Sequence, residues 1–398
     1  MQLQSSVCIV GNGAIGKTAA LAFAQAGLNV TLLCAAPDNV NRVDPATWDV
    51  RVYALNRVAR ELLSSIKVWG AMEASRIAPV DAMSVFGDDK GQSGGLSFDA
   101  YGARVEALAW IVEDRNLNTA LDTALKFTPN IRIVNGRATA LAVAGDKAQL
   151  SLNTGEVLDA SLIIGADGGQ SWVRGQCDIG IDYRSYHHRA LVANFECEQP
   201  HHGVAHQWFT STDGIIALLP LPGQRVSLVW SAPEPLADTL MQESQAQIAQ
   251  RLSALPGHRL GQLHPLQPEV LKAFPLSLIR PHAIVVPRVA LIGDAAHVVH
   301  PLAGQGMNLG FADVAVLRDI VAGRESSRDC GDERVLSRYA RARKEDILLM
   351  QIATDGLERL FGTNFEPVRI VRNLGLNLVN KLPVLKRTLI SQALGKTY

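Results

Sequence analysis

Between residues 11 and 18 the chain reads Gly-Asn-Gly-Ala-Ile-Gly-Lys-Thr, and two different phosphate chemistries fit those residues. Taken as G-x-G-x-x-G, Gly11, Gly13 and Gly16 form a dinucleotide fingerprint. The first glycine permits a tight turn and the second admits backbone close to a pyrophosphate. The third lets a helix pack on a strand, with the phosphates at the helix N-terminus. Taken as G-x-x-x-x-G-K-T, the segment is the phosphate loop of a nucleoside triphosphatase, with Lys17 on the β- and γ-phosphates and Thr18 on magnesium. A strand-terminal aspartate for that reading exists at Asp294. A plainer reading leaves Lys17 facing solvent in a first helical turn and Thr18 packing.

The dinucleotide reading lacks one customary part. An acidic residue at the end of the second strand, about 20 residues past the glycines, normally takes the ribose hydroxyls. Cys34 holds that place, and a thiol is a poor substitute for a carboxylate with two acceptor oxygens; Asp38 is a carboxylate just beyond it. Elsewhere His187, His188, His201, His202 and His206 crowd a short stretch, but no cysteine or carboxylate completes a set at zinc spacing, so no metal is expected. His201 and His206 read as loop caps or cleft liners. No Ser-His-Asp arrangement can be argued.

Around the glycines, Val7–Val10 reads as a buried strand, 17–26 as a helix ended by Gly27, and 30–33 as a second strand, one βαβ unit. Helices are expected over 56–66 and 113–125. Strands follow at 131–134, 138–143 and 148–152, a meander turning at Gly145-Asp146, and at 162–164. From 182 to 274 alternating segments at 190–195, 215–219 and 226–230 predict a separate, mainly antiparallel sheet. A buried strand at 289–292, a helix over 306–321 and amphipathic helix from 333 onward complete the pattern. The fold class is therefore α/β: a Rossmann-like nucleotide-binding domain interrupted by a mainly antiparallel β-sheet domain, with a helical C-terminal region.

Lys+Arg and Asp+Glu balance at 38 each, so no global field favours nucleic acid. Five scattered cysteines without CxxC spacing read as reduced thiols in a cytoplasmic protein. The apolar start runs straight into the glycine turn, as a first strand and not a signal peptide. No apolar run approaches the ~20 residues of a membrane span. From 368 to 394, leucines, isoleucines and valines at helical spacing alternate with Arg369, Arg372, Lys381, Lys386 and Arg387. Core or partner-helix packing is one reading. The other is a basic amphipathic surface that touches the inner face of a membrane.

Two longer segments, LIIGADGGQSWVR at 162–174 and RVALIGDAAHVVHPLAGQGMNLG at 288–310, carry a resemblance. With Asp49-Val50-Arg51, Ala54-Leu55, the helix opening Ile111-Val112-Glu113, Leu219-Pro220-Leu221 and Leu228-Val229-Trp230, the chain resembles FAD-dependent monooxygenases of the para-hydroxybenzoate hydroxylase fold. Within them it is most similar to the ubiquinone-biosynthesis hydroxylases, over nearly its whole length. The resemblance implies an FAD-binding domain over 1–75, 101–180 and 275–330, a substrate domain over 76–100 and 181–274, and a helical region over 331–398. It implies that Asp167 and Gly168 help bind FAD and bear on NAD(P)H use, and that Asp294 takes ribityl or ribose hydroxyls. Arg51 is similar to an arginine near the FAD pyrophosphate, Arg115 faces FAD, and Asp114 departs from the amide more usual there. His297, His300 and Pro301 would pass beside the flavin as proton-relay candidates. Gly304 and Gly306 would admit backbone to the ring, and the helix from Met307 and Asn308 would aim its N-terminus at the isoalloxazine.

The implied activity is aromatic hydroxylation through a flavin hydroperoxide, with NAD(P)H and O₂, on a lipophilic polyprenyl phenol of the ubiquinone path. A homo-oligomer or a place in a biosynthetic complex is compatible with the sequence. The rivals are an FAD-poor, non-catalytic subunit, a reductase or halogenase on the same fold (the W-x-W-x-I-P halogenase signature is absent), and the phosphate-loop NTPase.

Overall fold

The computed structural model describes residues 2–35, 44, 47–87, 95–300 and 305–362. Apolar runs that are buried on both faces become the centre of a parallel sheet. Its order is Val285–Val286, Val289–Leu291, Val157–Gly165, Gln2–Val10, Val30–Cys34, Ile131–Asn135, parallel throughout except at the short first strand. The hairpin Ala138–Ala144/Lys147–Leu152 adds to Val157–Gly165. Alternate residues divide between two cores. Val7, Ile9, Leu32 and Ile164 pack under the helices Ala14–Gln25, Asp114–Lys126 and Gln305–Ala322, while Cys8, Leu33 and Ile163 pack with the hairpin's Ala148 and Leu150.

The glycine turn is forced by contact with a neighbouring loop. Gly11 has φ +118, and a Cβ there would lie 2.3 Å from the Ala166 carbonyl oxygen; one on Gly16 would lie 2.0 Å from the Gly11 oxygen. Only glycine permits the strand end, the helix start and the Asp167 loop to approach so closely.

The second sheet runs Leu263–Pro265, Ile181–Cys197, Arg225–Pro233, Gly214–Leu221, Val204–Thr210, Ala82–Phe86, Gly95–Asp99, with Lys272–Pro281 also on Ile181–Cys197. It is antiparallel except where Val204–Thr210 meets Ala82–Phe86. A third sheet, Val52–Leu55, Ala109–Glu113, Ile77–Val80, packs against its face through Ala54, Ile111, Ala217 and Leu219. This corrects the expected helix opening at Ile111-Val112-Glu113. Trp-Ile-Val there is buried strand, Glu113 is its last residue and the N-cap, and the helix begins at Asp114. The last described helix is Glu333–Gly362, and the amphipathic stretch 368–394 lies outside the described residues. Among the described residues no helix is long and apolar enough to cross a membrane.

One buried cluster locks the helices to the sheet. Asp313, fully buried on Gln305–Ala322, accepts from the Gly293 amide at 2.9 Å and meets His297 Nε2 at 2.6 Å. Its other oxygen meets Arg343 of the last helix at 2.7 Å. Burial pushes the Asp313 carboxyl up, but His297 and Arg343, by charge and hydrogen bonds together, hold it below the usual carboxylate range. A depressed native pKa gives stability that is complete above the unfolded value of ~3.9 and is lost as pH falls through the native one. Asp313→Asn should therefore cost up to about 3–5 kcal/mol at neutral pH, because it removes the fully buried partner of Arg343 and leaves only the more exposed Asp346, at 2.9 Å. In denaturant unfolding the deficit should narrow below pH ~4; a deficit independent of pH would refute the ionised pair.

Candidate active site

The carboxyl ends of the parallel strands open onto a cavity of about 700 Å³. Gly11–Ile15 form one wall, where helix Ala14–Gln25 begins with Gly13 as N-cap, no side-chain cap and no acidic residue in its first turn. Its unsatisfied amides and positive dipole end suit a pyrophosphate. Gly16 packs on Gly11 and does not line the cavity. Asp167 and Gly168 form the opposite lip. Asp167 Oδ2 accepts from the Val173 amide at 3.0 Å, while its buried Oδ1 has no hydrogen-bond partner among the described residues. An orphaned acceptor of this kind calls for a hydroxyl donor from a ligand. Arg174 ties this loop to the next by donating to the carbonyls of Gly169 (2.7 Å) and Ala295 (3.0 Å).

Asp294 reaches into the cavity from the end of strand Val289–Leu291 and is exposed to it. The protein ringing it raises its pKa through desolvation, against the pull of His297 and Arg51. Arg51 stands opposite, its guanidinium 5.6 Å from the Tyr53 ring centre and without an ion pair among the described residues. Tyr53 and Asp114 also line this wall. The Tyr53 hydroxyl donates to Asp114 Oδ1 at 2.5 Å, as does Asn118 Nδ2 at 2.9 Å, so the departure at Asp114 is absorbed by two donors.

A second cavity, about 380 Å³, shares Arg51, Tyr53, Asp294 and Met307 with the first. Its floor is the inner face of the second sheet, including Val192, Ile215, Ala217 and Val229, and Gly306 at the start of helix Gln305–Ala322 also lines it. The structure thus brings Gly11, Gly13, Arg51, Asp167, Gly168, Asp294, Gly306 and Met307 around two adjoining cavities.

Other expectations need correction. Arg115 does not line the cavity; its guanidinium donates to the carbonyls of Asp44 (3.1 Å) and Thr47, and its helix presents Asp114 and Asn118 instead. Asn308 is a buried bridge, accepting from the Asn56 amide and donating to the Ala54 carbonyl, both at 2.9 Å, and it lines neither cavity. His297 lines neither cavity and is held by Asp313. His300 is buried edge-on against Tyr186 at 4.9 Å, its pKa lowered to about 4 by burial and by His188, and it too lines neither cavity. Pro301, Gly304 and Asp38 lie outside the described residues. Cys34 is turned into the helix-side core while Leu33 and Ala35 line the cavity; burial raises its thiol pKa, with Lys17 lowering and Asp122 raising it.

Lys17 is neither a phosphate ligand nor solvent-facing. Its ammonium pairs with Asp122 at 2.6 Å and Asn118 at 3.1 Å, 12% exposed, and Thr18 is fully buried. Of the clustered histidines, His201 caps a loop between the Gly203 amide and the Leu221 carbonyl. His206 stacks with Phe86 and Trp208, its pKa lowered to about 4, chiefly by burial. Among the described residues no group of three or more His, Cys, Asp and Glu could hold a metal ion.

A parallel nucleotide-binding sheet with an inserted sheet and a cavity shared between them is the architecture of the flavin monooxygenases of the para-hydroxybenzoate hydroxylase fold. The family described as "FAD binding domain" matches residues 4–348. The 3-demethoxyubiquinol 3-hydroxylase of Escherichia coli (strain K12) is 35% identical, covering 98% of both chains. Ubiquinone hydroxylase UbiL of Rhodospirillum rubrum is 34% identical over 98% of this chain and 90% of its own. Among solved structures, PqsL, a probable FAD-dependent monooxygenase from Pseudomonas aeruginosa, superposes with TM-score 0.76 at 21% identity, covering 94% of this chain and 100% of its own, a likeness of fold. The chain belongs to the FAD-dependent hydroxylases of ubiquinone biosynthesis. It is a flavin monooxygenase that binds FAD, in a family whose co-substrate is NAD(P)H.

With Asp294 at the shared wall, Asp294→Ala should weaken FAD binding on the order of 10–100-fold, the worth of hydrogen bonds to a charged group. Flavin fluorescence titration measures this, and an unchanged Kd would move the hydroxyl contact elsewhere. Lys17→Ala should leave FAD content unaltered, because the ammonium points at Asp122; ATP hydrolysis by the wild type that disappears in this variant would restore the phosphate-loop reading.

Proposed function

We propose that the enzyme hydroxylates the ring of a lipophilic polyprenyl phenol on the ubiquinone path. The carrying observation is the wall of Arg51, Tyr53, Asp294 and Met307 common to both cavities, which sets a cofactor in the larger one against a ring in the smaller. The overall reaction is Ar–H + O₂ + NAD(P)H + H⁺ → Ar–OH + NAD(P)⁺ + H₂O. FAD, held by Gly11–Ile15, Arg51, Asp167 and Asp294, would supply the two-electron chemistry that couples NAD(P)H to O₂, with one oxygen atom entering the ring and the other leaving as water.

The chain's own residues bind, orient and exclude water. Gly11–Ile15 and the helix end behind them hold the pyrophosphate, and Arg51 adds a cation beside it. Asp167 Oδ1 and Asp294 accept from sugar and ribityl hydroxyls. The N-terminal turn of Gln305–Ala322 turns its positive end to the cavity junction, where negative charge on a reduced ring is favoured. Val192, Ile215, Ala217, Leu219 and Val229 make the second cavity a dry, apolar slot for a ring. Phe274, 43% exposed, and Pro275 stand at its rim, where a prenyl tail leaves the pocket. The names of the two relatives, a ubiquinol and a ubiquinone hydroxylase, support this substrate class. The stretch 368–394, with its alternating basic and apolar residues, supports contact with the inner face of a membrane, where such a substrate resides.

Purified protein should show a flavin absorption band that bleaches with NAD(P)H, several-fold faster when a lipophilic phenol is present. A protein that cannot be reconstituted with FAD would favour the non-catalytic subunit and sink this proposal.

A further inference from the structure

The second cavity is apolar except at a few points, and two of those points lack an explanation. Gln207 and Ser231 are 5% and 4% exposed and both line this cavity, and their side chains form no hydrogen bond to the described residues although their polar ends are open to the cavity. Nearly buried amides and hydroxyls in native proteins find partners, and groups open only to a cavity find them in whatever fills it, water or a ligand. The other polar side chains on the wall are differently placed. Tyr53 is occupied by Asp114, Arg51 and Asp294 stand on the side shared with the larger cavity, and Ser277 is partly exposed on the strand that carries the rim.

Strand register fixes where the two groups stand. Gln207 on Val204–Thr210 is opposite Ala217, and Ala217 is opposite Val229. Two residues along, Ser231 is opposite Ile215 on one side and Ala190 on the other. Gln207 and Ser231 therefore share one face of the sheet on strands two places apart, about 10 Å across it at the usual ~4.8 Å spacing. Ala217, a small residue, lies between them in the next strand, so the floor is low where a ring would rest and polar on two opposite sides of it.

We infer that Gln207 and Ser231 form a two-point recognition site for oxygen substituents on opposite edges of the substrate ring, Gln207 taking a hydroxyl and Ser231 donating to a hydroxyl or an ether oxygen. A glutamine amide both donates and accepts, which suits a phenolic hydroxyl; a serine hydroxyl can donate to an oxygen that has no hydrogen of its own. A site built to pair with substrate oxygens rejects the analogue that lacks them, because its own buried polar groups then stay unpaired. Ring orientation, and with it the carbon presented to the flavin side, is set by these two contacts. This inference rests on the reading of the second cavity as the ring pocket.

The test uses FAD-loaded enzyme and the flavin absorbance change on titration with three probes of one shape: 4-methoxyphenol, 4-ethylphenol and 4-ethyltoluene. In the wild type, binding should weaken in that order, each lost oxygen costing on the order of tenfold. Ser231→Ala should erase the step between the first two probes and keep the second step. Gln207→Met, close in volume and unbranched, should erase the step between the last two and keep the first. Both variants should retain wild-type FAD content, since neither residue lines the larger cavity. If both steps persist in both variants, the oxygens are recognised elsewhere and this inference falls. If no probe perturbs the flavin band of the wild type, the ring-pocket reading itself falls.

Discussion

A buried carboxylate must find compensation for its lost hydration, and Asp313 finds it from three directions. The Gly293 amide, His297 and Arg343 come from a strand end, the loop behind it and the last described helix. Satisfying one charge therefore places the Gly293-Asp294 turn, helix Gln305–Ala322 and helix Glu333–Gly362 in a single arrangement. Tyr339 reinforces it by donating to the Leu291 carbonyl at 2.9 Å. Five residues before Asp313, on helix Gln305–Ala322, Asn308 holds the end of strand Val52–Leu55 with two neutral hydrogen bonds. These two bridges hold together the elements that carry Asp294, Met307 and Tyr53 at the wall between the cavities.

Much of this was legible in the sequence where a local rule governs. Fully apolar runs such as Leu162-Ile163-Ile164 announce buried parallel strands, and Gly11 and Gly16 announce a turn that excludes side chains. Asn56 behaves as its type suggests, its side chain accepting from the Ala59 amide to start a helix. The small three-stranded sheet was not legible, because Ala109–Glu113 runs without a break into a helix that begins at Asp114. His297 reads as a flavin neighbour in sequence, whereas its partner Asp313 is sixteen residues on and only a folded helix brings the two together.

The polar points of the second cavity are illegible for a related reason. Gln207 and Ser231 are ordinary residues in alternating strands, and only the register across three strands sets them on one face. Lys17 shows the converse. A strong phosphate-loop pattern survives in the letters, but Asn118 and Asp122 on the neighbouring helix claim its ammonium. The place usually given to a ribose-binding acid is similarly emptied of that role, since Cys34 is packed into the helix-side core and its thiol is kept protonated by burial.

The wall common to the two cavities has an evolutionary consequence. Arg51, Tyr53, Asp294 and Met307 each border both spaces, so a substitution at any of them alters the cofactor and substrate environments together. Effects of paired changes across that wall will not add, because residues in contact share their energetics. Under the proposed reading, selection for a new substrate is steered to the far floor and the rim, where Ala217, Ser231 and Phe274 border the smaller cavity and not the larger.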